Sequence, residues 1–344
     1  MRVGIINVTG YAGVELARLL SRHPAAELIQ ITGRSAAGQH LAQVFPHAVA
    51  VDMPIVAELT EKVDVAFSAL PHKASAEVLL PLLEAGTKVI DISADFRLKD
   101  PAVYQEWYKQ EHPAPRLLAE AVYGLPELYR DKVKEARLIA NPGCYPTSAI
   151  LALAPAMHLI GPDVIVDSKS GISGAGRSLG LTYHFAEAND NVQAYALGGH
   201  RHMPEILQEL TFARERAVLD AGQLPPLRLT FVPHLIPMTR GILTTAYAPL
   251  ARRVSPEEVR ALYQEFYADE PFVRVSELPP QTKQTWGSNM AFVYPTVDSR
   301  TDRLVVVSCI DNLVKGAAGQ AVQNMNLMFG LRETEGLLGL PVYP

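Results

Sequence analysis

The chain has 344 residues, 48% hydrophobic and 19% charged, a balance that supplies a large core and excludes a disordered chain. Its net charge of −5 runs against a nucleic-acid binder, which needs a basic face. No apolar run is long enough to span a bilayer, so no membrane partner is expected either.

Met1 leads directly into a strand-like segment, which argues against a signal peptide. The length suggests about two domains. Cys144 and Cys309 are the only cysteines, too few for a disulfide framework or a zinc cluster, and no metal is expected. A reducing cytoplasm suits a chain that needs one free thiol.

The buried-strand pattern Arg2–Ile6 runs into Asn7-Val8-Thr9-Gly10-Tyr11-Ala12-Gly13, after which Leu16, Leu19 and Leu20 recur at helical spacing. This reads as a dinucleotide-binding turn: the glycines let the backbone approach a pyrophosphate seated on the helix N-terminus. Asn7 stands where the first fingerprint glycine belongs, and Asn tolerates left-handed backbone better than most residues. The next strand, Glu27–Thr32, is followed by Gly33-Arg34-Ser35, where an NAD site usually carries an acid for the ribose. A cation and a hydroxyl there suit a 2′-phosphate, so NADP(H) is the expected cofactor; a solvated surface arginine is the alternative.

A further strand with its loop is expected over 63–72 and another strand at 88–92, with a leucine-rich helix between them. Strands alternating with helices imply a doubly wound parallel sheet of Rossmann type, whose ligands bind beyond the carboxyl ends of the strands. Ser68, His72 and Ser93 fall at such ends, and His72 is assigned no chemistry.

Asn141-Pro142-Gly143-Cys144-Tyr145-Pro146-Thr147 lies between the strand-like run Leu138–Ala140 and a helix-like run from Ser148. That context places Cys144 at or just before a helix N-terminus, where unpaired amides and the helix dipole favour a thiolate. Beyond it come a strand over 163–169 and the loop Gly171–Arg177, whose small residues and terminal Arg would cradle an anion. Strands at 227–232, 241–247, 290–294 and 304–310 are read as antiparallel, giving an α+β domain with a mostly antiparallel sheet. A helix opens at Ser255-Pro256-Glu257-Glu258 with a serine cap and first-turn acids. Gly198–Glu205 places His200, Arg201 and His202 beside a turn, and a histidine is the usual partner for thiol chemistry. In Asp311–Ala321 small residues allow a helix to pack close to a backbone or a ligand.

Together these stretches resemble one family, N-acetyl-gamma-glutamyl-phosphate reductase. The resemblance is carried by Thr9–Gly13, Ala69-Leu70-Pro71-His72, Asp95–Leu98, Tyr123–Glu127, Asn141–Thr147, Ser173–Gly176, His200–Glu205 and Asp311–Gly316. It covers nearly the whole chain, with Asn7 as one departure from the family's glycine. The related lysine-pathway reductase looks similar but usually lacks the Pro before Gly-Cys and the Tyr-Pro after it. The resemblance implies an NADP-binding domain of residues 1–145 with 315–344 and a catalytic and oligomerisation domain of residues 146–314, in a homodimer or homotetramer. It implies cofactor contacts from Thr9, Gly10, Tyr11, Ala12, Gly13, Arg34, Ser35, Ser68, Leu70 and Pro71, and from Ser173, Gly174, Asn312 and Gly316.

The chemistry implied is reduction of an acyl phosphate to an aldehyde with release of inorganic phosphate. Cys144 is the expected nucleophile and His202 its acid–base partner. Arg97, Asn141, Arg177 and His200 are the expected substrate-side residues, and His200 could exchange roles with His202. Rival readings are an aspartyl- or carrier-linked aminoadipyl-phosphate reductase, a nucleotide-free cysteine hydrolase or acyltransferase, and a silent NADP-binding regulator.

Overall fold

The computed structural model describes residues 1–218 and 225–344. The chain divides into two compact units, Met1–Gly143 with Ala317–Gly339, and Cys144–Gly316 with Leu340–Pro344.

The first unit holds strands β1 (Arg2–Ile6), β2 (Glu27–Thr32), β3 (Ile55–Val56), β4 (Val65–Ser68), β5 (Lys88–Asp91), β6 (Val122–Tyr123) and β7 (Leu138–Ala140). Its helices are α1 (Tyr11–Leu20), α2 (Leu41–Val44), α3 (Ser75–Glu84), α4 (Pro101–Tyr108), α5 (Pro115–Glu120) and α6 (Pro126–Glu135). Every strand pair is parallel, in the order β3-β2-β1-β4-β5-β7-β6. Parallel neighbours need crossover connections, and the helices that make them cover the sheet. That is why β1, β4 and β5 read as short apolar runs and are buried along nearly their whole length. Ile6, Ala66, Leu79, Val89, Phe96 and Leu138 are among the core residues packed there. Strand order reverses between β1 and β4, which puts the ligand crevice of such a sheet at their carboxyl ends.

The second unit opens with α7 (Cys144–Leu153), β8 (Asp163–Ser170), α8 (Phe185–Ala188), β9 (Gln193–Ala194) and α9 (His202–Ala217). It continues with β10 (Arg228–Leu235), β11 (Ile242–Pro249), α10 (Pro256–Phe266), β12 (Val273–Val275), β13 (Ala291–Asp298) and β14 (Arg303–Ile310). The sheet runs β12-β13-β14-β11-β8-β10-β9. Most neighbours are antiparallel, as expected, with two differences: β10 lies parallel to β8, and β12 parallel to β13. The first difference has a plain cause. The segment read as a turn around His202 begins a sixteen-residue helix, and a helical crossover is what a parallel pair requires. Tyr145 to Leu153 of α7 are all buried, and the helix packs on β11, β13 and β14 and against α9.

After β14 a π-helical turn, Val314–Ala318, leads into α11 (Gly319–Met328), and the chain is again part of the first unit from Ala317. There Asn324 Nδ2 donates to Gly124 O at 2.8 Å, His23 Nε2 meets Asn326 Oδ1 at 2.9 Å, and Arg130 pairs with Glu333 at 2.9 Å.

A buried carboxylate pair ties the ends of β4 and β5 to α3. Asp95 accepts from the amides of Lys73, Ser75 and Ala76 at 2.7, 3.0 and 3.1 Å, so it caps the helix start. Asp91 accepts from Ser75 Oγ at 2.6 Å and from Ser93 N and Oγ at 3.0 and 2.6 Å. Burial pushes the Asp91 carboxyl up to about 6 from 3.8, and the nearby charge of Asp95 adds to it, against the bonds from Ser75 and Ser93.

The folded form therefore holds this proton more tightly than the unfolded chain does. The stability it brings is full below about pH 4 and is lost as pH rises through about 6. In urea melts, Asp91→Asn should weaken the fall in stability between about pH 4 and pH 7 by on the order of 1–3 kcal/mol. Identical pH dependence in the two proteins would contradict the shift.

At the β1–α1 turn, a Cβ on Gly13 would come within 2.5 Å of Asn7 O and 2.7 Å of Val8 Cα, whereas one on Gly10 meets nothing within 4 Å. Gly13→Ala should thus cost about 1–3 kcal/mol through overpacking, and Gly10→Ala should stay within about 1 kcal/mol of wild type. Equal denaturation midpoints for the two variants would contradict the tight helix–strand contact.

Candidate active site

In the first unit the β1–α1 turn lies at the reversal of strand order. Asn7 adopts φ 66°, the left-handed backbone that a glycine would otherwise supply. Its side chain holds the turn, donating from Nδ2 to Ala69 O at 2.8 Å and receiving Thr9 Oγ1 at 3.3 Å. Gly10 is the extended N-cap of α1 and offers no side-chain cap to the first-turn amides of Tyr11, Ala12 and Gly13. Open space at Gly10 beside a helix N-terminus fits a pyrophosphate. Arg34 and Ser35 are exposed in the single turn after β2. Arg34 Nη2 lies 3.4 Å from Glu58 Oε1, with both side chains largely in solvent, so the pair is weak. Leu70 and Pro71 follow β4, while the Ser68 hydroxyl turns inward to Ser75 Oγ at 2.6 Å. The Ser75 proton is committed to Asp91, so Ser68 is the donor of that pair.

Arg97 and Asn141 are both buried in this unit. Arg97 donates from Nε to Asn141 O at 2.8 Å and from Nη2 to Ile92 O at 2.7 Å. Asn141 donates from N to Asp91 O at 2.8 Å and from Nδ2 to Ala317 O at 3.1 Å, and receives Asn324 Nδ2 at 3.1 Å. Both side chains hold backbone, and together they fix the residues that lead into the cysteine.

In the second unit Cys144 is the first residue of α7 and is half-buried. Pro146 carries no N–H, so the first-turn amides are those of Cys144, Tyr145 and Thr147. A Cβ on Gly316 would come within 2.8 Å of Cys144 Cβ, so this glycine lets the π-helical turn close on the cysteine. The turn itself is set by Asp311. Its carbonyl accepts from Gly316 N at 2.9 Å, and its carboxylate accepts from the amides of Leu313, Val314 and Gly287 at 2.8, 3.1 and 2.7 Å.

His202 opens α9, and its ring lies 5.9 Å from that of Tyr145 and 4.9 Å from that of His200. His200 is enclosed edge-on by Tyr145, Tyr195 and Phe231 at 5.7, 5.5 and 5.4 Å. Burial, helped by the Arg201 charge, lowers His200 to about 4. Burial also raises the Tyr145 phenol well above its usual range and pushes Tyr195 up to about 12, and negative charge on Cys144 acts in the same direction on both. The other thiol, Cys309, is buried and pushed up to about 12. The arrangement leaves one thiol suited to nucleophilic chemistry, one neutral histidine and a second histidine at a helix start.

Asn312 joins two further candidates, donating from Nδ2 to Ser173 Oγ at 3.0 Å, with Gly174 beside it and its Oδ1 receiving Gly241 N at 2.7 Å. Arg177 stands exposed just after that glycine turn. Tyr145, Tyr195 and Asp311 join the site without being among the residues expected from sequence. Tyr145 and Asp311 sit inside expected motifs, but Tyr195 lies in a stretch without any pattern to mark it.

Comparison with known proteins agrees with the two-unit fold. The family model described as semialdehyde dehydrogenase, NAD binding domain, matches residues 2–136, and the semialdehyde dehydrogenase, dimerisation domain, matches residues 144–312. An N-acetyl-gamma-glutamyl-phosphate reductase of Dehalococcoides mccartyi strain CBDB1 is 59% identical, covering 100% of this chain and 99% of that protein. The protein of that name from Heliobacterium modesticaldum is 50% identical over the whole of both chains. Among solved structures, aspartate semialdehyde dehydrogenase II of Vibrio cholerae, complexed with ASA, superposes with TM-score 0.71 at 16% identity over 96% of this chain and 98% of that one. Aspartate semialdehyde dehydrogenase of Candida albicans, solved with NADP, gives 0.69 at 18% identity over 95% and 98%. Among the described residues no helix is long and apolar enough to cross a membrane and no cluster could hold a metal. With a thiol at a helix start, two histidines against the ring of the tyrosine that follows it and relatives of this identity over its full length, the chain belongs to the N-acetyl-gamma-glutamyl-phosphate reductase family.

Proposed function

We propose that this chain reduces N-acetyl-gamma-glutamyl phosphate to N-acetylglutamate semialdehyde and inorganic phosphate with NADPH, through a thioester on Cys144. The observation that carries the reading is Cys144 at the first position of α7, next in sequence to Tyr145, whose ring is flanked by His200 and His202. The Cys144 thiolate attacks the acyl carbon, the acyl–oxygen bond to phosphate breaks, and a thioester remains. When bound, NADPH supplies the hydride for the reduction. First-turn amides of α7 stabilise the oxyanions. His202 holds the thiolate as its cationic partner, donates a proton to the reduced oxyanion, and takes it back as the carbon–sulfur bond breaks to release aldehyde. Arg177 is the exposed cation for a phosphate or carboxylate group, which a guanidinium grips as a fork.

Thr9–Gly13, with Leu70 and Pro71, are the proposed nucleotide contacts, and Arg34 with Ser35 the contacts to a 2′-phosphate. Ser173, Gly174 and Asn312 are kept as further contacts. We place the enzyme in the cytoplasm as a homodimer or homotetramer. The description of the matching family model supports self-association, as does a sheet face on which Tyr247, Phe292, Tyr294 and Val307 are only half-buried.

Cys144→Ser should abolish reduction of N-acetylglutamyl phosphate and leave the NADPH titration nearly unchanged, since the nucleotide turn is untouched. Substantial remaining turnover would sink the covalent route. Arg34→Ala should raise the Michaelis constant for NADPH about tenfold, the worth of a charge-assisted bond, and leave that for NADH within about twofold. An equal rise for both cofactors would show that Arg34 does not read the 2′-phosphate.

A further inference from the structure

The hydrogen bonds around His200 have only one consistent direction. The amide of His202 lies 3.1 Å from His200 Nδ1, and an amide N–H can only donate, so Nδ1 is the bare, accepting nitrogen. The His200 proton is therefore on Nε2, which faces Tyr195 Oη at 3.4 Å and donates to it. At the far end, Tyr145 Oη lies 3.1 Å from the carbonyl of His234, which can only accept, so Tyr145 is the donor there. Tyr195 must then spend its own hydrogen on Tyr145 Oη at 3.3 Å. From the start of α9 to strand β10, each group donates to the next: His202 N–H, His200, Tyr195, Tyr145, His234 carbonyl.

We propose that Tyr195 is a positioning residue for the Cys144–His202 pair, acting through neutral His200. This rests on the reading of Cys144 as nucleophile and His202 as its acid–base partner. Tyr195 is itself held to β10 by its amide, which donates to Pro233 O at 3.1 Å. Its hydroxyl meets both His200 Nε2–H and Tyr145 Oη. With it in place, His200 keeps Nδ1 free of hydrogen and holds the first amide of α9, one of the donors that a helix start leaves without an intrahelical partner. The backbone that carries His202 is thereby tied to Tyr145, the residue next to the nucleophile. Protonation of His200 would set a second N–H against the His202 amide, so the arrangement also admits a single histidine cation beside the thiolate. Loss of the Tyr195 hydroxyl leaves a half-enclosed N–H without its acceptor and uncouples the two ends of the chain.

The test uses the full-length enzyme and two readouts. Alkylation by iodoacetamide near neutral pH reports Cys144 without any substrate, since Cys309 is buried and its thiol is pushed up to about 12. Steady-state reduction reports the catalytic step. Tyr195→Phe keeps the ring against His200 and removes only the hydroxyl. It should slow both alkylation and kcat by about three- to tenfold, the worth of one hydrogen bond, with KM within about twofold. His200→Asn should lose at least as much, and the double variant no more than the worse single, because both act along one path. Wild-type rates in Tyr195→Phe, or losses that multiply in the double variant, would overturn the proposal. If the wild type failed to reduce N-acetylglutamyl phosphate while alkylation followed the expected pattern, the substrate reading would fall and the positioning role would stand.

Discussion

Helix α7 has no face to give to water, and that constraint organises the second unit. Buried from Tyr145 to Leu153, it must be enclosed by the sheet, by α9 and by α10. Its last carbonyls, which no intrahelical amide can reach, are met by the hydroxyls of Tyr267 on Leu151 O and Tyr263 on Ala152 O, both at 2.6 Å. Midway along it, Ser148 meets Ser308 of β14 at 3.0 Å. Only the first residue, Cys144, is partly open to solvent. A close-packed helix cannot shift by a fraction of an ångström without disturbing many neighbours, so the thiol is presented by the core itself.

The two histidines against Tyr145 are chemically unequal although the sequence spaces them only two apart. His200 is wrapped by three aromatic rings and committed through both ring nitrogens, and burial keeps it neutral over the physiological range. His202 sits on the helix itself. Like side chains are set apart by their surroundings, one supplying a fixed acceptor and the other, in the proposed mechanism, moving the proton.

Much of the nucleotide-binding unit was legible because its strands are short apolar runs followed by glycine-rich turns, and Asn7 carries the left-handed backbone expected of it. Cys144 was legible for the same kind of reason: proline and glycine punctuate the strand–turn–helix passage on which it lies. Helix α9 is masked in the sequence by the turn signal of Gly198 and Gly199, although Pro204 suits a first helical turn and Ile206, Leu210 and Ala213 recur at helical spacing. Missing that helix made strand β10 look antiparallel to β8, because pairing direction follows from the connection rather than from the strand. The Tyr195 hydroxyl had no signature at all. Its part depends on a partner fifty residues away, Tyr145, and on the tautomer of His200, neither of which leaves a trace in local pattern.

The return of the chain to its first unit has a consequence for how the protein is made. Helix α11 and the residues after it supply Asn324 to Gly124, Asn326 to His23 and Glu333 to Arg130, so the unit begun at Met1 lacks these partners until residues 324–333 have been translated. The insertion of 173 residues, 144 to 316, takes roughly 10–35 s to synthesise at usual elongation rates. During that interval the parallel sheet waits on the ribosome with an uncovered flank. The second unit, contiguous apart from its last few residues, meets most of its own partners as it emerges, so these are complete before those of the unit that began first.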